Sequence, residues 1–140
     1  MDQPMSIKRQ SINPPTLPVR SRGGLVTMVQ VVTVEQAKRH IFLSGQLARD
    51  LDGNCVGKGD MRTQMIQVGE NIKAGLAAAG ATLDDIVRTS TYVTDMEEFL
   101  KHPDLRVRYF GKELPTSTTV EVRRLVHLDF MIEVEVMAMI

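Results

Sequence analysis

The segment that most constrains the fold is 132–136, in which apolar and acidic residues alternate strictly. Successive side chains of a β-strand point to opposite faces of a sheet. The apolar positions therefore predict one buried face, whereas Glu133 and Glu135 predict a polar opposite face. A two-layer subunit leaves that second face uncovered, so we expect it to meet either water or another copy of the chain.

Two helices are predicted from the spacing of apolar residues and from end signals. Residues 61–79 carry apolar side chains every three or four positions, which form the stripe Met61, Met65, Val68, Ile72 and Leu76. Asp60 is the candidate N-cap of this helix, and Gly80 is its candidate C′ residue. The second helix is predicted over 103–110, since it begins with a proline at the first helical position and Gly111 follows it.

The remaining regular structure is predicted to be strand, because the segments are rich in β-branched residues. With 132–136, these segments are 26–34, 40–44, 86–93 and 118–125. The predicted order is β-β-α-β-α-β-β. We therefore expect an α+β fold with two helices on one face of a mixed sheet.

Length and composition indicate one domain preceded by an arm. A chain of 140 residues with 43% hydrophobic residues buries enough surface to fold without a disulfide or a metal ion. Residues 1–23 differ from the rest because they contain four prolines, four basic residues and one acid. We expect this segment to be a flexible N-terminal arm, or to lie across a neighbouring subunit, and we expect the domain to span 24–140.

The charge balance and the hydropathy exclude several classes of partner. The 17 basic and 17 acidic residues cancel, which does not favour nucleic-acid binding. No apolar run approaches the roughly 18 residues of a membrane span, and the N-terminus lacks the apolar core of a signal peptide. We expect a cytoplasmic protein that binds neither nucleic acid nor membrane.

Cysteine and histidine usage predicts neither a disulfide nor a metal site. Cys55 is the single cysteine, so the chain fits a reducing compartment. His40, His102 and His127 have no partners at the spacing of metal ligands. We interpret His102 instead as a cap for the helix that begins at the next residue.

Six segments occur in a characteristic order: 42–46, 78–87, 91–95, 114–115, 120–122 and 132–135. Together with Gln64 and Asn71 on the first helix, this set resembles the RidA/YjgF family, which is also called the endoribonuclease L-PSP family. The resemblance extends over 26–139. It implies a chorismate-mutase-like subunit that forms a homotrimer, with a small-molecule ligand bound in each cleft between subunits. It also implies hydrolysis of reactive enamines and imines, such as 2-aminoacrylate, without a cofactor.

The family's site residues carry over only in part. Deaminase members have an arginine two positions after a proline, where it holds the substrate carboxylate, but here Ser117 stands at that position. Thr119 matches a small family residue, and Gly45 allows a ligand to approach the backbone. Glu133 matches the glutamate that binds or activates water. The resemblance thus implies that Glu133 is catalytic, that the other three residues bind substrate, and that this chain belongs to a subgroup without the carboxylate-binding arginine.

These residues support two main hypotheses. The first is a hydrolytic deaminase of small imines or enamines, with a substrate other than 2-aminoacrylate. The alternative, motivated by Ser117, is a non-catalytic trimer that binds a metabolite. A ribonuclease ranks lower, because the chain lacks a basic patch with interleaved aromatic residues. Arg106, Arg108 and Lys112 are candidates to replace the missing charge, although a solvated helix face is the favoured interpretation.

Overall fold

The computed structural model describes residues 6–140. The strands in this part of the chain are β1 (Lys8–Ile12), β2 (Ser21–Arg22), β3 (Leu25–Val26), β4 (Val31–Glu35), β5 (His40–Leu47), β6 (Ile86–Val93), β7 (Thr116–Glu121) and β8 (Ile132–Met139). The helices are α1 (Met61–Ala78), α2 (Met96–Leu100) and α3 (Pro103–Phe110), and a 3₁₀ turn at Leu83–Asp85 precedes β6.

The predicted α+β architecture with a mixed sheet is confirmed. The main sheet has the order β5-β8-β6-β7, in which β8 is antiparallel to both neighbours and β7 is parallel to β6. Two small pairs, β1 with β4 and β2 with β3, complete the strands of the described region. The helices of residues 6–140 pack on one face of the main sheet, and they number three instead of the two predicted, because Met96–Leu100 forms the additional short helix α2.

Helix α1 forms as its sequence pattern predicts. The Asp60 side chain accepts a hydrogen bond from the Thr63 backbone N–H at 3.1 Å, which caps the first turn. The predicted apolar stripe is buried along its whole length. Gly80 has a φ of +78° after the last turn, a left-handed conformation that glycine adopts without steric cost.

Helix α3 has its predicted bounds, but His102 does not cap it as predicted. His102 occupies the N-cap position, and its side chain makes no capping hydrogen bond. Its ring Nδ1 lies 3.3 Å from Nη1 of Arg62, and Nη2 of the same residue forms a 2.7 Å ion pair with Asp104. The ring is thus directed towards the charged pair on the helix surface and away from the first free N–H groups of α3.

The predicted strand over 26–34 is interrupted. It is divided between β3 and β4, because the chain at Thr27 and Val29 turns inward and both residues are buried. The Val29 N–H donates to the Pro115 carbonyl at 3.1 Å instead of to a neighbouring strand. The predicted strand over 118–125 is shifted as well: β7 begins at Thr116 and ends at Glu121, where its partner β6 also ends.

The segment expected to be a flexible arm contains a paired strand. Residues 8–12 run antiparallel to β4, with Lys8 opposite Glu35 and Ile12 opposite Val31. The Arg9 guanidinium donates to three backbone carbonyls at 2.7–3.2 Å, those of Asp84, Glu113 and Leu114. This arrangement differs from the expectation because it depends on partners far along the chain, which the composition of the segment cannot reveal. Residues 1–5 of the predicted arm lie outside the described residues.

Strand β8 has the two faces that its alternation predicts. The apolar residues at alternate positions lie under the helices and are nearly inaccessible: Ile132, Val134, Val136 and Ala138. Glu133 is partly exposed, and Glu135 is exposed on the opposite face. The sheet therefore has one face in the core and one face that no helix within residues 6–140 covers.

The buried side chain of Gln64 connects α1 to the start of β8 through hydrogen bonds. Gln64 is 0% exposed, and its amide donates to the carbonyls of Gly57 at 3.1 Å and Asp129 at 2.8 Å. Its amide oxygen accepts from the Met131 N–H at 2.8 Å. The glycine-rich loop and the residues that lead into β8 are thereby attached to the same point of the helix.

Candidate functional site

The four predicted site residues fall on both faces of the main sheet. Ser117 pairs with Thr89 on β6, and Thr89 pairs with Val136 on β8. Paired residues share a face, so Ser117 lies on the helix-covered face, as does Thr119 two residues later. Glu133 lies on the uncovered face. One subunit therefore does not bring Ser117 and Thr119 together with Glu133.

Gly45 and Glu133, in contrast, are adjacent. Gly45 lies in an irregular part of β5, where the pairing with β8 shifts register between Leu43 and Gln46. A Cβ atom at Gly45 would lie 2.9 Å from Cδ of Glu133 and closer still to Oε1. Only a residue without a side chain leaves room for the Glu133 carboxylate in its present position, over the backbone of β5.

The two glutamates of β8 have different surroundings. Glu135 accepts a hydrogen bond from the Tyr92 hydroxyl at 2.8 Å, and this bond raises the pKa of Tyr92 because it stabilises the protonated phenol. Among the described residues, no side chain donates a hydrogen bond to Glu133 or forms an ion pair with it. Glu133 is thus the carboxylate that is free to accept a hydrogen bond from a water molecule or a ligand.

Sequence reasoning did not assign a role to Tyr92. Tyr92 lies directly opposite Glu133 in the β6–β8 pairing and bonds to the next glutamate on the same face. The segment 91–95 belongs to the motif that carries the family resemblance, but its orientation follows only from the strand register. Tyr92 and Glu135 form a fixed polar pair beside the free carboxylate.

The uncovered face also carries exposed apolar side chains. Phe42 on β5 is 70% exposed, and Val120 on β7 is 42% exposed. Met137 lies opposite Phe42 in the β5–β8 pairing. Large apolar side chains exposed on a sheet are typical of a surface that contacts another protein chain.

Ser117 contacts Arg106, a residue that the sequence pattern predicts to be solvated. Nη2 of Arg106 on α3 donates to the Ser117 Oγ at 3.1 Å, and the Arg106 guanidinium carbon lies 5.3 Å from the centre of the Phe99 ring. Burial lowers the pKa of Arg106 by disfavouring its charged form. The interpretation of Arg106 as part of a solvated helix face is therefore wrong.

The other two basic candidates do lie at the surface. Arg108 is exposed and lies over the ring of Tyr109, with 5.2 Å from the guanidinium carbon to the ring centre. Lys112 is exposed and pairs with Asp84 at 3.2 Å. The favoured interpretation is confirmed for these two residues. A signal for Arg106 lay in its position three residues before the buried Tyr109, on one face of a helix.

The described residues contain neither a group of metal-binding side chains nor a membrane-spanning helix. From residue 6 to residue 140, no three histidine, cysteine, aspartate or glutamate side chains are grouped so that they could hold a metal ion. None of the helices in this range combines the length and the apolar character that crossing a bilayer requires.

The sequence matches a known protein family and is similar to proteins of that family. The family model described as endoribonuclease L-PSP matches residues 24–140. A RutC family protein of Pyrococcus horikoshii is 40% identical over 103 residues, which cover 74% of this chain and 81% of that protein.

Solved structures share the fold. A Yersinia pestis protein of the conserved Rid family, described as of unknown function, superposes with a TM-score of 0.80 at 28% identity, covering 94% of this chain and 98% of that one. A putative endoribonuclease from Thermotoga maritima superposes with a TM-score of 0.67 at 31% identity, covering 84% and 87%.

Proposed function

The chain belongs to the endoribonuclease L-PSP family, the family of the RutC and Rid proteins, and we propose that it is a hydrolytic deaminase of small imines and enamines. The observation that carries the proposal is the free carboxylate of Glu133 over the bare backbone of Gly45. An unpaired carboxylate beside accessible backbone can hold a water molecule and accept a proton from it.

The proposed reaction needs water and one acid–base group. An enamine first takes a proton on carbon and releases one from nitrogen, which gives an imine. Water then adds to the imine carbon while the Glu133 carboxylate accepts one of the water protons. Glu133 returns this proton to the nitrogen, which gives a carbinolamine. It then passes the proton of the added hydroxyl to the same nitrogen, the C–N bond breaks, and ammonia leaves behind a carbonyl compound. The overall reaction converts an imine and water into a carbonyl compound and ammonia. The proposed reaction therefore requires no oxidant, metal ion or organic cofactor.

We propose that the site is completed between subunits of a homotrimer. Within one subunit, Ser117 and Thr119 lie on the face opposite to Glu133, so residues of different subunits must meet if all of them contact one ligand. Strand β7 is an edge of the main sheet, and the uncovered face exposes Val120 on this strand and Phe42 on β5 at the other edge. The free edge and the exposed apolar side chains support association through the uncovered face of the sheet.

Sedimentation equilibrium tests the assembly. We expect a species of three times the 15.6 kDa chain mass. Phe42→Asp should shift the protein towards monomers, because association would bury an unpaired charge. Leu51→Asp is the matched control, since Leu51 is fully exposed in a loop and its replacement should leave the trimer intact. A wild-type monomer that persists at all concentrations would contradict the shared site.

The substrate is proposed to differ from 2-aminoacrylate. The Ser117 hydroxyl can hydrogen-bond a carboxylate but cannot neutralise it, and a hydrogen bond to a charged group contributes about 1.5–3 kcal/mol. We therefore expect turnover of 2-aminoacrylate, generated by a serine dehydratase, to be tenfold or more below that of family members with arginine at this position. Equal turnover would contradict this argument.

An ammonia-release screen tests the function itself. Imines are generated in the assay by amine oxidases and by amino-acid oxidases, so that compounds with and without a carboxylate are compared. We expect hydrolysis of at least one imine well above the rate in buffer. If imines bind but none is hydrolysed faster than in buffer, the non-catalytic metabolite-binding trimer becomes the better description. The presence of serine instead of arginine at position 117 favours this alternative.

A further inference from the structure

The first strand, β1, is attached to the rest of the subunit through the side chain of Arg9. Nη1 of Arg9 donates to the Asp84 carbonyl at 2.7 Å, and Nη2 donates to the carbonyls of Glu113 at 3.2 Å and Leu114 at 3.1 Å. Asp84 lies in the turn that precedes β6, whereas Glu113 and Leu114 lie in the segment that precedes β7. One guanidinium therefore joins the beginnings of two parallel neighbouring strands.

The Arg9 guanidinium is held in surroundings that disfavour its charge. Its Nε is buried and has no hydrogen-bond partner within residues 6–140, and burial lowers the pKa of Arg9. The nearby carboxylates of Asp84, Asp85 and Glu113 oppose this effect, although the guanidinium donates to backbone carbonyls and not to these carboxylates. An aliphatic side chain would fill the same space without removing a charge from water, so packing does not account for an arginine here. The planar fork of an arginine can reach carbonyls of two separate segments at once.

The start of β7 has few other attachments. This strand lies at an edge of the main sheet and pairs with β6 in the described region, and residues 111–115 before it form no regular structure. The Val29 N–H donates to the Pro115 carbonyl at 3.1 Å. The Thr116 hydroxyl donates to the Val87 carbonyl, also at 3.1 Å. Because a parallel strand has no hairpin turn to set its register, contacts at its start, including those of the guanidinium, decide where it begins.

Two proposed substrate-binding residues follow this start directly. Ser117 is the third residue after Leu114, and Thr119 is the fifth. Both lie on the helix-covered face of the sheet. Successive side chains of a strand alternate between the two faces, so a register shift of one residue would turn both side chains away from that face. The position at which β7 begins therefore decides where these two residues point.

We propose that Arg9 is a positioning residue for the substrate site: it holds the carbonyls of Glu113 and Leu114 and thereby fixes Ser117 and Thr119 in place. Arg9 itself contacts the backbone and not the substrate. The inference rests on the proposed function, since that function assigns substrate binding to Ser117 and Thr119. It gives the N-terminal strand a role in the site, through residues more than seventy positions away in the chain.

Hydrogen exchange of the full-length protein tests the placement of β7 without a substrate. In Arg9→Met we expect the amides of Thr116–Glu121 to exchange about tenfold faster or more, because the start of the strand opens more readily. The amides of Ile132–Met139 should stay within about twofold of the wild type, because the carbonyls that Arg9 holds lie outside β8. Lys8→Met, which removes an exposed charge from the same strand as Arg9, is the matched control and should exchange as the wild type does. Unchanged exchange in β7, or equal acceleration in both strands, would overturn the proposal.

Steady-state kinetics of ammonia release connect this placement with substrate binding. The substrate is the imine that the wild type hydrolyses most efficiently in the screen. For Arg9→Met we expect KM to rise roughly fivefold or more while kcat stays within about threefold, because Glu133 lies on the other face of the sheet, on β8. Arg9→Lys keeps the charge but lacks the fork that reaches both segments, so its KM should lie between those of Arg9→Met and the wild type.

The two measurements separate the possible failures. An unchanged KM in Arg9→Met, or a loss confined to kcat, would overturn the role of Arg9 in the substrate site. If the wild type hydrolyses no imine, the proposed function fails, and hydrogen exchange alone decides whether Arg9 positions β7.

Discussion

Glu133→Gln is expected to abolish imine hydrolysis while leaving the fold and the assembly intact. Glutamine has the same shape as glutamate, so it still fits over Gly45, but its amide cannot accept a proton from water. General-base catalysis contributes typically 10²–10⁴-fold to a rate, and we expect the loss of kcat to lie in this range. The measurement is ammonia release with the best imine of the screen, together with sedimentation and thermal unfolding of the variant.

The neighbouring glutamate provides a matched control. Glu135 lies two residues along the same strand and on the same face, but its carboxylate is engaged by the Tyr92 hydroxyl. Glu135→Gln should therefore retain kcat within a few-fold. If both variants lose activity equally, or if Glu133→Gln retains a demonstrated activity, Glu133 is not the proton acceptor.

Gly45→Ala tests whether the reaction needs the Glu133 carboxylate in its position over residue 45. A Cβ atom at this position would collide with the end of the Glu133 side chain, which is flexible and can rotate away. We expect a modest change in the free energy of unfolding, because the carboxylate can reach solvent, together with a clear loss of kcat. A variant with full activity would show that the position of Glu133 over Gly45 is not needed for the reaction.

Gln64→Leu is expected to produce the largest loss of stability. Leucine fills a similar volume but removes the hydrogen-bond partner of two partly buried carbonyl groups and of the Met131 N–H, each of which bonds to the Gln64 amide. An unsatisfied buried polar group costs about 1–3 kcal/mol, so the free energy of unfolding should fall by about 3–5 kcal/mol. The midpoint of thermal unfolding should fall by on the order of 10 °C.

Urea unfolding at fixed protein concentration measures this effect, since dissociation of an oligomer would otherwise change the apparent stability. Gln67→Leu is the matched control on the same helix. The Gln67 amide bonds to Asn71 and to the Arg49 carbonyl at partly exposed positions, where water can replace it. We expect Gln67→Leu to lower the free energy of unfolding by less than about 1 kcal/mol. A Gln64→Leu variant as stable as this control would contradict the role assigned to the buried amide.

The sequence alone determined the elements whose signals are local. The apolar stripe of α1, its Asp60 cap and the proline at the start of α3 each depend on residues within a few positions of one another, and these elements form as predicted. The two faces of β8 follow from alternation within a single strand. The family resemblance was also readable, because it rests on the order of motifs and not on their contacts.

The tertiary structure decided the features that depend on strand register and on distant partners. The placement of Ser117 on the face opposite to Glu133 follows from the pairing of β7, β6 and β8, which no local signal specifies. Residues 8–12 form a strand because the edge of β4 and the carbonyls around Arg9 are available to them. Arg106 lies in a segment with the composition of a surface helix, and only the packing of α3 over the sheet partly buries its guanidinium group.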